Sequence, residues 1–198
     1  MIVKFCGMRR MEDIKAVNRL KPDMVGFILD DTRRRYVPPE DVLRMKEKLD
    51  PGIRAVGVFV NEDINKVADL LNRGIIDIAQ LHGDESEAYI KELKELTGSK
   101  VIKAFGIRSE EDIVKAEGSS ADMIIVDAPG GGTGEPFNWK LLRRLKRPYI
   151  LAGGLSEDNL ESAKSLNPYG VDVSSGIETD GYKDEEKMER FISLVRKG

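Results

Sequence analysis

The chain is 198 residues long, with 32 Lys and Arg against 35 Asp and Glu, one His and one Cys. That length fits one ordinary domain, expected over residues 1–198. A net charge of -3 and a pI near 5.5 argue against a dedicated nucleic-acid binder, which would normally be basic. A lone cysteine excludes an intramolecular disulfide framework. No apolar run approaches the roughly 18 residues of a membrane span. The opening MIVKF reads as a strand, not a signal peptide, so a cytoplasmic protein with no membrane partner is expected.

Two kinds of segment alternate along the chain. Short β-branched runs occur at 2–5 (IVKF), 24–29 (MVGFIL), 53–60 (IRAVGVFV), 75–81 (IIDIAQL), 100–105 (KVIKAF), 122–127 (DMIIVD), 148–153 (PYILAG) and 170–175 (GVDVSS). Bounded by Gly, Pro, Asp or Asn, each reads as a strand buried on both faces. Amphipathic stretches lie between them. Met11, Ile14, Val17 and Leu20 fall at helical spacing, as do Ile64, Val67, Ala68 and Leu71. Ala88, Ile90, Leu93 and Leu96 share one side, and Met188, Ile192 and Val195 pattern the tail. Helix starts are signalled by Ser109 with Asp112 three residues on, by Asn61 with Ile64, and by Pro39-Glu40-Asp41.

Strands that alternate with helices must be parallel, and eight such units close into a (βα)8 TIM barrel. The rival, an open doubly wound sheet, lacks a G-x-G-x-x-G after its first strand. In a barrel the chemistry sits where strands end. AGGLS (152–156) and DVSSG (172–176) end the seventh and eighth strands. Gly153, Gly154, Ser174, Ser175 and Gly176 there form either a phosphate cradle of backbone amides or two tight turns needing glycine.

Cys6 ends the first strand and shares parity with Lys4. It is either a small core residue or a base or nucleophile, its thiolate favoured by the nearby ammonium. Asp127 closes an apolar strand, as general acid/base or as a loop cap. The glycine-dense loop after it offers Gly130 to Gly134 as backbone contacts or as a linker. His82, the sole histidine, follows Gln80 with matching parity and reads as a substrate contact more than as the main base. One His and one distant Cys argue against a structural zinc site. Arg33, Arg34 and Arg35 form either a solvated run or a carboxylate clamp. Acid and base groups without a metal or redox centre point to isomerase, aldol-type or lyase chemistry on a phosphorylated small molecule.

Taken together, KFCG, DMVGFIL with RRYV, VGVFVN, QLHGDE, VIKA, GGTGEPFNW, LAGGL and VDVSSGIE resemble the phosphoribosylanthranilate isomerase family, in order and over nearly the whole chain. The resemblance implies a (βα)8 barrel and an Amadori rearrangement without cofactor or metal. It makes Cys6 the general base and Asp127 the general acid, with Arg35 on the anthranilate carboxylate. Lys4, Gln80, His82 and Asp172 would contact substrate, and the Gly153–Gly154 and Ser174–Gly176 turns would hold its phosphate. The acid should be raised in pKa and the thiol lowered. A monomer or homodimer is expected. Departures are Arg9 in CGMRR, Ala128 after Asp127, and Asn138 in FNW. The related sugar isomerase of histidine synthesis carries Asp where Cys6 stands here, and a catalytically silent phosphate-binding barrel would not need both Cys6 and Asp127.

Overall fold

The protein is described by a computed structural model covering residues 1–127 and 139–197. Eight parallel strands form a closed barrel in sequence order. They are β1 (Ile2–Cys6), β2 (Met24–Ile28), β3 (Arg54–Phe59), β4 (Ile78–Leu81), β5 (Lys100–Gly106), β6 (Met123–Asp127), β7 (Ile150–Leu151) and β8 (Gly170–Val173). β1 pairs with β8 to close the ring, setting Lys4 opposite Asp172 and Phe5 opposite Val173. The outer helices are α1 (Met11–Leu20), α2 (Pro39–Lys46), α3 (Ile64–Asn72), α4 (Glu87–Thr97), α5 (Glu110–Gly118), α6 (Leu160–Lys164) and α7 (Glu185–Arg196).

Strand alternation builds two apolar layers. Met24, Val56, Ile78, Ile102, Ile125 and Ile150 form one cluster, filling the barrel interior. Residues of the other parity, such as Phe5, Phe27, Phe59, Val101 and Val126, pack outward against helix residues including Ile14, Val67, Ile90 and Phe191. Phe5 meets Phe191 edge-on, ring centroids 6.3 Å apart. At the foot of the barrel, an aspartate before one strand accepts the first free amide of the strand before it. Asp23 takes Val3 N, Asp77 takes Ala55 N and Asp122 takes Val101 N, each at 2.8 Å. These bonds fix the foot and leave the opposite mouth to loops.

Helix signals in the sequence act as expected at Ser109, whose capping box with Asp112 is formed, and at Pro39. The third helix is capped differently. Asp63, not Asn61, accepts the Asn65 and Lys66 amides, while Asn61 turns the chain with φ +52. Ile75 and Ile76 are buried in the turn after α3 and lie outside β4. Only a 3-10 helix, Trp139–Arg144, is described between β6 and β7. After β8 a 3-10 turn, Ser175–Ile177, runs into a hairpin unforeseen in the sequence, β9 (Glu178–Thr179) with β10 (Tyr182–Lys183). No helix among the described residues is long and apolar enough to cross a membrane.

Candidate active site

The strand ends surround a cavity of about 850 Å³ at the C-terminal mouth, lined by Cys6, Arg35, Gln80, His82, Asp127 and Asp172 among others. Its size is that of a small-molecule site. Cys6 and Lys4 face inward together. Gly26 on β2 stands opposite Cys6, and a Cβ there would lie 2.8 Å from the sulfur and 3.2 Å from Lys4 Nζ. A side chain at position 26 would therefore expel one of them.

Lys4 is wholly buried and does not line the cavity; its ammonium donates to Asp172 Oδ2 at 2.8 Å. Burial works against its charge, but Asp172 and Cys6 outweigh that, and its pKa is raised. The thiol shows the opposite of the sequence expectation. Burial pushes Cys6 up; Lys4 and Lys183 pull it down, Asp172 pushes it back up, and the net direction is upward. Lys4 is the strongest influence favouring the thiolate, but burial of the sulfur, with Asp172 beside it, outweighs that pull.

Asp127 ends β6, and its carbonyl accepts the Ile107 amide at 3.2 Å. His82 Nε2 lies 3.5 Å from Asp127 Oδ2, and His82 Nδ1 lies 3.2 Å from Gln80 Nε2. With the Gln80 NH2 as donor, Nδ1 accepts and the imidazole proton sits on Nε2, facing Asp127. Burial, then Lys4, lowers the His82 pKa and keeps the ring neutral. Among the described residues, Gln80 Oε1 and Asp172 Oδ1 are buried acceptors without a partner.

Arg33 folds back on Asp30 at 3.0 Å. Arg35 turns inward and forks onto Glu178, Nε to Oε1 and Nη2 to Oε2, both at 2.8 Å. Arg34 reaches the same carboxylate at 3.5 Å and Lys183 reaches it at 2.7 Å. Burial opposes charge on Glu178, but Arg35 and Lys183 hold its carboxyl down at about 2. Lys183 also donates to the Ser174 carbonyl at 2.9 Å, and Ser174 Oγ donates to the Cys6 carbonyl at 3.1 Å. Sequence reading missed Glu178 and Lys183. Their only local signal is that they flank a turn, Asp180-Gly181, which both take positive φ.

Gly153 and Gly154 both adopt positive φ (+85 and +66) and line the cavity with Ser174 and Ser175. Neither glycine amide is among the backbone donors paired within the described residues. Gly176 lies behind them, and a Cβ there would meet the Leu155 carbonyl at 2.0 Å, so the turns after β7 and β8 are in direct contact. The Ser174 hydroxyl is committed to Cys6, which leaves backbone as the offering at that position. Gly130 to Gly134, Ala128 and Asn138 lie outside the described residues.

Fold and site together define a (βα)8-barrel enzyme with acid–base side chains gathered at the C-terminal mouth. Residues 3–194 match the family model for N-(5'phosphoribosyl)anthranilate (PRA) isomerase. The chain is similar to N-(5'-phosphoribosyl)anthranilate isomerase of Clostridium acetobutylicum, 48% identical and covering 98% of each chain. Among solved structures it is similar to monomers of the dimeric enzyme from Thermotoga maritima, with TM-score 0.87 and 34% identity over 99% of each chain. It is also similar to a phosphoribosyl anthranilate isomerase in complex with reduced 1-(o-carboxyphenylamino)-1-deoxyribulose 5-phosphate, with TM-score 0.85 and 34% identity over 98% of this chain and 97% of that one. The chain belongs to the phosphoribosylanthranilate isomerase family.

Proposed function

We propose that this barrel converts N-(5-phosphoribosyl)anthranilate to 1-(2-carboxyphenylamino)-1-deoxyribulose 5-phosphate, a step of tryptophan biosynthesis, with Asp127 as general acid and Cys6 as general base. The observation that carries this pairing is that both end strands at one mouth and line one cavity. Asp127 gives its proton to the ring oxygen as the C1–O bond breaks and the anilino nitrogen forms a C1=N iminium. Cys6, as thiolate, takes the proton from C2. The C–H electrons become the C1=C2 bond and the iminium electrons return to nitrogen. The resulting enolamine tautomerises to the ketone. The iminium is the electron sink, so the steps require neither cofactor nor metal.

His82 faces Asp127 with an N–H, a contact that favours the carboxylate and so strengthens as the proton leaves. The unpartnered Gln80 Oε1 and Asp172 Oδ1 are acceptors for substrate hydroxyls. Lys4 acts from below, holding Asp172. The Gly153–Gly154 and Ser174–Gly176 turns take the phosphate through backbone amides. Arg35 takes the anthranilate carboxylate, using the part of its guanidinium that Glu178 leaves. The partner is thus a phosphorylated small molecule, without nucleic acid or membrane, and the chain acts in the cytoplasm as a monomer or homodimer. Incubation with substrate made in situ tests the reading. Loss of substrate fluorescence with appearance of the ketose supports it, and an inert protein that still binds inorganic phosphate sinks it.

A further inference from the structure

Two buried charges that play no part in these steps hold the loop carrying His82. Lys103 lies on β5 with the parity of Val101 in the outer layer, not that of Ile102 and Ala104 in the barrel interior. Its ammonium turns beneath the loop after β4, where Lys103 and Glu85 border the edge of the cavity. It donates to the Leu81 carbonyl at 3.4 Å, the Gly83 carbonyl at 2.5 Å and Glu85 Oε2 at 2.9 Å. Leu81 and Gly83 flank His82. Glu85 in turn accepts the Gly83 amide at 3.0 Å and the Asn61 amide at 2.7 Å. Asn61 Oδ1 accepts the Asp84 amide at 2.7 Å, and a Cβ on Gly83 would meet that oxygen at 2.4 Å. The side chains of Lys103 and Glu85 are 7% and 2% exposed.

A buried ion pair is weak evidence for stability, because desolvation offsets most of the attraction. What this one does is geometric. It fixes the backbone on both sides of His82 from β5, while Asn61 fixes the loop from the end of β3. The imidazole it carries lies between the two polar groups, Nδ1 3.2 Å from Gln80 Nε2 and Nε2 3.5 Å from Asp127 Oδ2.

We propose that Lys103 and Glu85 are positioning residues for the isomerase reaction: they set the place and tautomer of His82, and through it support Asp127 as its proton leaves. The inference rests on Asp127 as the acid. The His82 tautomer is a property of the free enzyme and does not depend on turnover.

His82 is the sole histidine, so its imidazole nitrogens give unambiguous NMR signals without assignment. In the wild type they should report one neutral tautomer with the proton on Nε2. In Lys103→Met and Glu85→Gln the two tautomers should average. In the same variants kcat should fall about 10- to 100-fold, as expected for a slightly misplaced group, with KM within about threefold. Lys103→Arg should restore part of the loss, and neither variant should lose more when combined with His82→Ala. Unchanged His82 signals, or losses that multiply with that of His82→Ala, would overturn the proposal and leave the pair a loop support. Should Lys103→Met not fold, Glu85→Gln and Lys103→Arg carry the same test. Activity retained in Asp127→Asn would instead remove the acid reading, while the NMR result still decides the clamp.

Discussion

Glu178 grips Arg35 through both carboxylate oxygens, each 2.8 Å from a guanidinium nitrogen, and so ties the loop after β2 to the hairpin after β8. Lys183 on the far hairpin strand shares Oε1. The Glu178 carboxyl ionises at about 2 in the folded protein against an ordinary value of 4.5. A lowered folded pKa contributes stability above the unfolded value, and that stability is lost as pH falls through the folded one. The wild-type Tm should therefore fall between about pH 4.5 and 2. In Glu178→Gln that slope should shrink. At neutral pH the variant should melt roughly 5–10 °C lower, since removing one partner of a buried pair costs about 3 kcal/mol or more. Thermal melts across this pH range check it, and parallel slopes in the two proteins would contradict it.

Arg35 should matter to substrate binding more than to chemistry. Arg35→Lys keeps the charge but loses the planar fork, so both Glu178 and the anthranilate carboxylate would be held by a point charge. KM should rise about tenfold or more with kcat changed much less. Steady-state kinetics showing the loss mainly in kcat would place Arg35 elsewhere in the mechanism.

Lys4 and Asp172 form the other buried pair, one wholly buried and the other 8% exposed. Lys4→Met leaves the carboxylate uncompensated and should cost about 3–5 kcal/mol. Adding Asp172→Asn removes the stranded charge and should recover most of that loss in denaturant unfolding. If the double variant is no more stable than Lys4→Met, the pair does not carry the coupling assigned to it.

The raised Cys6 pKa sets a direction for the base. A raised thiol is mostly protonated at neutral pH, so the thiolate fraction and kcat/KM should rise with pH through and beyond the usual thiol range. With a single cysteine, ultraviolet thiolate absorbance reads this directly. A thiolate signal already complete at neutral pH would contradict the burial argument.

The barrel was legible because each strand is a short apolar run and each turn of alternation is local. Parity alone paired Cys6 with Lys4 and Gln80 with His82. Other features depend on contacts that no local pattern encodes. Glu178 and Arg35 are 143 residues apart in the chain, and Glu85 and Lys103 lie on successive loop and strand with no shared periodicity. The hairpin of β9 and β10 has two-residue strands, too short for an alternation signal. The direction of the Cys6 shift is set first by burial, which no local pattern encodes. Lys4 is visible beside the thiol, but the enclosure that disfavours the thiolate, and Asp172 at 2.8 Å from the ammonium, come about only when β8 closes the ring on β1. Arg35 as a carboxylate binder was anticipated; that a carboxylate of this chain already occupies its fork was not.

The acid–base pair is tested most directly by kcat/KM for wild type, Cys6→Ala and Asp127→Asn on the same phosphoribosylated substrate. Each variant should lose about 10²- to 10⁴-fold or more, with inorganic phosphate still bound as in the wild type. Either variant within about threefold of wild type would contradict the role given to that residue.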